Sequence, residues 1–262
     1  MADVPRRAAP SARAPAWAAR LNALLRRLGL EVRRFPQPDA GQLRRAALMR
    51  HRAIDLVIDV GANGGQYASS LRQVLGWEGR IVSFEPQTEA FARLQRAAAG
   101  DERWQLCRQA LGDAAGTATI HVAANSESSS LLPMLPAHRD AAPQASYVGA
   151  EPVPVATLDE VLPTLLQDAV RVWLKLDVQG YELHVLRGGA AALARHVEVV
   201  ELEMSLVPLY EGAPTMTGLQ RFLESAGFRL AGIEPGFADP RTGELLQVDG
   251  LFVRERPATG SP

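Results

Sequence analysis

The chain has 262 residues, 47% of them hydrophobic, a formal net charge of -1 and one cysteine, Cys107. That length suits one sizeable core with a tail and leaves little room for a second full domain. A lone cysteine excludes a disulfide framework and a CxxC metal site, and no apolar run approaches the roughly 20 residues that span a bilayer.

The N-terminus has no signal-peptide core, because arginine interrupts it every few positions, so a cytoplasmic protein is expected. Residues 1 to 52 carry twelve arginines against Asp3, Glu31 and Asp39, a surplus of +9; with a total of -1, the rest carries -10. A basic head attracts phosphate, nucleic acid or anionic lipid, but arginine- and alanine-rich stretches also arise from coding bias, and that plainer reading is preferred. Residues 1–16, with Pro5, Pro10 and Pro15 among Ala and Arg, are expected to be disordered. Trp17, Leu21, Leu24, Leu25 and Leu28 then recur at helical spacing. Such a stripe most often packs on its own domain; a membrane or a second copy, giving a homo-oligomer, are the alternatives. Gly29 and the Pro36 to Pro38 stretch close this helix, and a second basic helix is expected over 42–52. Residues 17–52 thus read as a helical extension ahead of a domain at 53–256.

From there short β-branched runs alternate with helical stretches, the pattern of a parallel sheet covered on both faces. Strands are expected over 56–60, 80–85, 105–109, 172–178 and 197–203. Helices are expected over 67–75, 88–98, a short one opened by the Thr157 to Glu160 capping box, and 182–187. Between the third and fourth of these strands, 116–123 reads as a further strand and 125–148 as a Ser- and Pro-rich loop suited to a lid. A helix over 217–226 precedes two strand-like runs, 228–233 and 248–254, which should pair antiparallel. The fold class expected is α/β: a Rossmann-like, mostly parallel seven-stranded sheet with an antiparallel C-terminal hairpin and helices on both faces.

The strongest local signal is Asp59-Val-Gly61-Ala62-Asn63-Gly64-Gly65-Gln66-Tyr67, a buried strand running into a glycine-rich turn and a helix. The glycines do not fall at the G-x-G-x-x-G spacing of a pyrophosphate loop. Asp59 at the mouth of the turn would repel a pyrophosphate, whereas S-adenosylmethionine brings an ammonium and a sulfonium and no phosphate. Charge therefore favours the methyl donor. At the end of the second strand Glu85, followed by Pro86, is placed to accept the ribose hydroxyls of an adenosine. Ala110-Leu111-Gly112-Asp113 offers an apolar wall for adenine and an acceptor for its amine, or is a simple turn. Ser126 and Ser128 to Ser130, Ser129 among them, either donate to the cofactor carboxylate or form a mobile polar loop.

In their order these segments, with Leu174-Lys175-Leu176-Asp177-Val178-Gln179-Gly180-Tyr181-Glu182, resemble the FkbM family of methyltransferases over residues 51–254. The resemblance implies a class I, S-adenosylmethionine-dependent O-methyltransferase acting on hydroxyls of polyketides, sugars and other glycan- or lipid-linked metabolites. One departure is visible: the usual Asp-Val-Glu-Gly stretch carries Gln179 here, so any role of a carboxylate at that position is lost.

Lys175 and Asp177 alternate on one buried strand, and Lys175 is the only lysine in the chain against 27 arginines. A site needing a compact ammonium would account for that exception. Asp177 and Glu203 fall at the carboxyl ends of their strands, where open α/β sheets bind ligands. Asp177, Glu182 and Glu203 are the candidate bases, Lys175 the group that orients one of them, and His184 a further base on the helix after the fourth parallel strand. The alternative is an ion pair that only shapes the pocket. No histidine has zinc-ligand spacing, so no metal centre is assigned, although Asp177, Glu203 and another carboxylate would suit a magnesium ion. A nicotinamide-dependent oxidoreductase explains the sheet and Glu85 but not Asp59, and no Tyr-x-x-x-Lys pair is present; a non-catalytic cofactor-binding domain needs no Lys175 to Asp177 pair. The acidic body and the lack of an Asn-Pro-Pro-Tyr stretch argue against a nucleic-acid substrate.

Overall fold

The computed structural model describes residues 38–169 and 171–256, with isolated positions 21, 24, 25 and 27 before them. Residues Pro38–Pro262 group as one compact unit and Met1–Gln37 as another. In the first unit Leu21, Leu24 and Leu25 are helical. Apart from position 27, the rest of the expected 17–28 helix, the face on which an oligomer was considered, and the 1–16 tail lie outside the described residues.

The ten strands are β1 (Leu56–Val60), β2 (Arg80–Phe84), β3 (Trp104–Cys107), β4 (Ala110–Gly112), β5 (Gly116–Ala123), β6 (Tyr147–Thr157), β7 (Val172–Leu176), β8 (Val197–Ser205), β9 (Phe228–Pro235) and β10 (Gln247–Arg254) among the described residues. Seven of them form one sheet in the order β3-β2-β1-β7-β8-β10-β9. The first five positions are parallel, and β10 runs antiparallel to both β8 and β9. All five residues of β1 and of β7 are buried, as expected of central strands covered on both faces. Alternate residues feed two cores: Ile58, Leu174, Val200 and Phe252 on one face, Val57, Trp173, Val199 and Leu251 on the other. Each such burial contributes roughly 1.5–3 kcal/mol.

The helix Ala40–Arg52 starts at Asp39, whose carboxylate accepts from Gln42 N at 2.7 Å within a capping box. It belongs to the same compact unit, Pro38–Pro262, as the sheet. The expected Thr157 capping box is present and opens the helix Leu158–Leu166.

The segment between β3 and β7 departs most from expectation. Instead of a long loop, residues 125–148 contain the helix Pro136–Ala141 and a short 3-10 turn, Pro143–Ala145. Met134, Ala145, Leu209 and Tyr210 give it a small core of its own. A second sheet, β4-β6-β5, follows from it. Pro152 and Pro154 conceal β6 in the sequence. They are accommodated because β4 pairs only with Val155–Thr157, leaving one edge of β6 open at both prolines.

Candidate active site

At the carboxyl ends of β1, β2 and β7 the polypeptide encloses a cavity of about 510 Å3. Gly61, directly after β1, has φ +81°, and a side chain there would collide with the carbonyl oxygen of Asp177. The chain turns at Gly61 because only glycine lets β1 and the end of β7 approach so closely. Gly61 N and Ala62 N both donate to the Phe84 carbonyl, at 2.9 and 3.0 Å, fixing the loop to β2. Gly65, at φ +87°, caps the helix Gln66–Gln73, and a Cβ there would meet Leu94 and Trp104. Of the glycine-rich turn, Gly61, Ala62 and Asn63 therefore line the cavity, while Gly64 and Gly65 do not.

Glu85 sits at the opposite wall. Its Oε2 accepts from Asn63 N at 2.8 Å and its Oε1 from Gln87 N at 2.8 Å. One donor per oxygen leaves further lone pairs free, which is the requirement for receiving a diol. Burial pushes its carboxyl up to about 7, against the two backbone donors. Pro86, Ala110 and Leu111 line the cavity beside Phe84 and Ile120 as an apolar wall. Gly112 and Asp113 fall outside it. Asp113 accepts or shares a proton with His184 Nδ1 at 2.9 Å, and that hydrogen bond holds its carboxyl below the usual range. His184 stacks on Tyr181 with ring centroids 4.1 Å apart. The structure thus brings Asp113 and His184 to each other rather than to the cavity, because the helix Glu182–Arg187 turns that ring outward.

A row of charges crosses the three central strands. Asp59 pairs in register with Lys175, and Lys175 with Glu201, so all three side chains share one face. Asp59 accepts from Ser83 Oγ at 3.1 Å, and burial raises its carboxyl to about 6 against the pull of Lys175. The Lys175 ammonium donates to Asp177 Oδ2 at 3.3 Å and lies 5.8 Å from the centroid of Tyr67. Burial works against its charge, but Asp177, Glu201, Asp249 and Asp59 outweigh it and raise its pKa. Glu201, fully buried, accepts from Arg45 Nε at 2.6 Å, Tyr67 Oη at 2.6 Å and Trp173 Nε1 at 3.1 Å. Burial first, and then Glu201, push the Tyr67 hydroxyl upward.

Asp177 and Glu203 meet through Gln179. Its side-chain amide donates to Asp177 Oδ1 at 2.9 Å and to Glu203 Oε2 at 2.8 Å, and Gln247 adds a donor to Glu203 at 2.6 Å. Tyr210 donates to Gln179 Oε1 at 2.7 Å, and Ser130 donates to the Gln179 carbonyl at 2.7 Å. Gln179 holds φ +53°, a left-handed conformation costing about 1–2 kcal/mol that these contacts enforce. Burial raises the Glu203 carboxyl well above its ordinary value, and Asp177 adds to the effect. Glu182 lies outside the cavity and accepts from Val178 N and Gly180 N, both at 3.2 Å, so it shapes the turn after β7. Ser129 lines the cavity, accepting from Ala123 N at 3.0 Å and Gln87 Nε2 at 3.3 Å. Among the described residues no group of three His, Cys, Asp or Glu is arranged to hold a metal ion. The Gln179 amide stands between Asp177 and Glu203, two of the carboxylates that would suit a magnesium ion.

Arg45, Glu201, Asp249 and Gln179 also line the cavity and were not among the site residues expected from sequence. Glu201 alternates with Glu203 on β8, a signal available in the sequence. Arg45 reaches it across 156 residues, which nothing local announces.

The strand order, the antiparallel last strand and a cavity over the glycine turn define a Rossmann-like class I methyltransferase fold. The methyltransferase FkbM domain family matches residues 59–230, and the chain belongs to that family. Among solved structures the chain is similar to the methyltransferase FkbM from Methylobacillus flagellatus, with 16% identity and a TM-score of 0.48. The match covers 76% of this chain and 43% of that one, so the chain spans less than half the length of that relative. It is also similar to Aeropyrum pernix fibrillarin with natively bound S-adenosyl-L-methionine, at 11% identity, TM-score 0.42, and 76% and 66% coverage. A SAM-dependent methyltransferase from Aquifex aeolicus aligns at 11% identity, TM-score 0.41, with 79% and 88% coverage. No curated protein matches the chain. No helix among the described residues is long and apolar enough to cross a membrane.

Proposed function

We propose that the protein is an S-adenosylmethionine-dependent O-methyltransferase whose acceptor is a hydroxyl of a small metabolite, sugar or polyketide. One observation carries this reading: Asp59, Glu85, Glu127, Asp177, Glu201, Glu203 and Asp249 line the same cavity as only two cations, Arg45 and Lys175. Such a surplus of carboxylates suits a cationic ligand and disfavours a pyrophosphate. Glu85 would receive the ribose diol, Ala110, Leu111 and Ile120 the adenine, and Asp59 with the Gly61–Asn63 turn the amino-acid end. When bound, the cofactor supplies a methyl group activated on a sulfonium.

The chain's own contribution is to orient an acceptor hydroxyl and take its proton. Asp177 is the base in this reading. One oxygen faces Lys175 and the other Gln179, which leaves lone pairs toward the cavity. Lys175 and Gln179 fix its carboxylate, and Gln179 is itself held in place through Glu203 and Tyr210.

Titration with S-adenosylhomocysteine, with NADH as control, tests the cofactor. Binding of the first alone, weakened by Asp59→Ala and by Glu85→Ala, is the expected outcome, and a preference for NADH would refute it. With an acceptor found by screening hydroxylated compounds, Asp177→Asn should lower kcat by about 100- to 10,000-fold while cofactor affinity changes little. Retained turnover would remove Asp177 from the base role.

A further inference from the structure

The end of the sheet remote from the cofactor cavity carries a second cavity, of about 430 Å3, lined by His51, Arg52, Arg229, Arg254, Glu255 and Arg256. Its position follows from topology. Arg254 ends β10, which runs antiparallel to β8, so it lies beside Val197 at the amino end of that strand. Asp59 and Asp177 stand at the opposite, carboxyl ends of the parallel strands. The mechanism above uses none of these arginines.

Their hydrogen bonding is incomplete. Arg52 is only 8% exposed; its Nη1 donates to Glu198 at 3.3 Å and to the Arg254 carbonyl at 3.0 Å. Its Nε is buried without an acceptor among the described residues. Arg254 donates Nε to the Val197 carbonyl at 2.8 Å and stacks on Phe228 at 4.5 Å, yet its Nη2 is likewise buried without an acceptor among the described residues. Buried guanidinium donors left unpaired are costly and are normally met by a protein, water or ligand oxygen. The four arginines face Glu198, which takes Arg52 and Arg256, and Glu255, so two positive charges stand in excess.

We propose that this cleft binds a small anion bearing a phosphate group. Four arginines lining one recess offer fork-shaped donors that match the oxygens of a phosphate better than the single plane of a carboxylate. The recess has room for the phosphate and a modest attached group. The crowding is also visible in Arg254, whose pKa is drawn down by burial and by Arg52 against the opposing pull of Glu198. A lipid surface fits less well, because no exposed large apolar residue lines the cleft. A nucleic-acid track fits less well, because residues 53 to 262 together carry a charge of -10.

The test uses the full chain, with inorganic phosphate as the probe and acetate at matched ionic strength as control. Saturable heat on phosphate titration is expected with the wild-type protein and none with acetate. The double variant Arg229→Ala with Arg256→Ala should weaken phosphate binding by about tenfold or more while S-adenosylhomocysteine binding is unchanged. Both side chains are exposed, and Arg229→Glu alone serves as a second variant that leaves the Arg256 to Glu198 ion pair in place. Equal phosphate response in both variants, an acetate response of the same size, or binding only to phosphatidylserine vesicles or to a DNA duplex would overturn the proposal. Because the two cavities are at opposite ends of the sheet, failure here leaves the methyltransferase reading untouched, and the reverse also holds.

Discussion

Replacing Asp59 by asparagine removes one negative charge from the cofactor cavity and leaves the acceptor oxygen that Ser83 uses. In the free protein burial lifts the Asp59 carboxyl to about 6. A bound ammonium or sulfonium favours its ionised form, so cation binding expels a proton and affinity rises with pH through that value. With a pKa of about 6, roughly one molecule in eleven is ionised at pH 5 and ten in eleven at pH 7, so Asp59 alone makes binding about tenfold tighter at the higher pH. Glu85, lifted to about 7, adds pH dependence of the same sign to both proteins. The difference between wild type and Asp59→Asn therefore isolates Asp59. Titration calorimetry with S-adenosylmethionine at pH 5, 6 and 7 should show the wild-type slope exceeding the variant slope by about one decade over that interval. Parallel slopes, or tighter wild-type binding at pH 5, would refute the assignment of Asp59 to the cationic end of the ligand.

Two further substitutions probe the surrounding carboxylates. Gln179→Glu replaces the donor that joins Asp177 and Glu203 with a third acid about 3 Å from both. Stability at pH 8 should fall by about 2–4 kcal/mol, recover toward pH 5 as the trio binds a proton, and recover at pH 8 with millimolar Mg2+, which should leave the wild-type melting temperature unchanged. A variant as stable as wild type at pH 8 would show that Gln179 does not bridge the pair. Glu182→Gln keeps an acceptor for Val178 N and Gly180 N but cannot ionise. Burial raises the Glu182 carboxyl to about 7, so the glutamate loses stability as pH rises through 7; the variant should be more stable by up to about 3 kcal/mol at pH 8 and equal near pH 4. Denaturant midpoints at the two pH values decide it, and a less stable variant at pH 8 would contradict the burial argument.

The central architecture was legible because its signals are local. The apolar runs of β1, β7 and β8, the glycine turn after Asp59 and the Thr157 capping box act over a few residues, and they set the Rossmann-like order. The single lysine singled out Lys175, and strand-end position singled out Asp177 and Glu203. What the sequence hid depends on partners far away. The prolines of β6 argue against a strand until β4 is seen to be too short to need their missing donors, and the six-residue helix Pro136–Ala141 is too brief to show a period. Local pattern likewise grouped His184 with the bases and Asp113 with the adenine contacts; the stacking of His184 on Tyr181 turns both toward each other. Arg45 looked like one more cation in a basic head, and Gln179 like the loss of a carboxylate. Only tertiary structure brings Arg45 to Glu201 and sets the Gln179 amide between two acids, because burial in a low-dielectric site makes each charge find its partner wherever the chain supplies one.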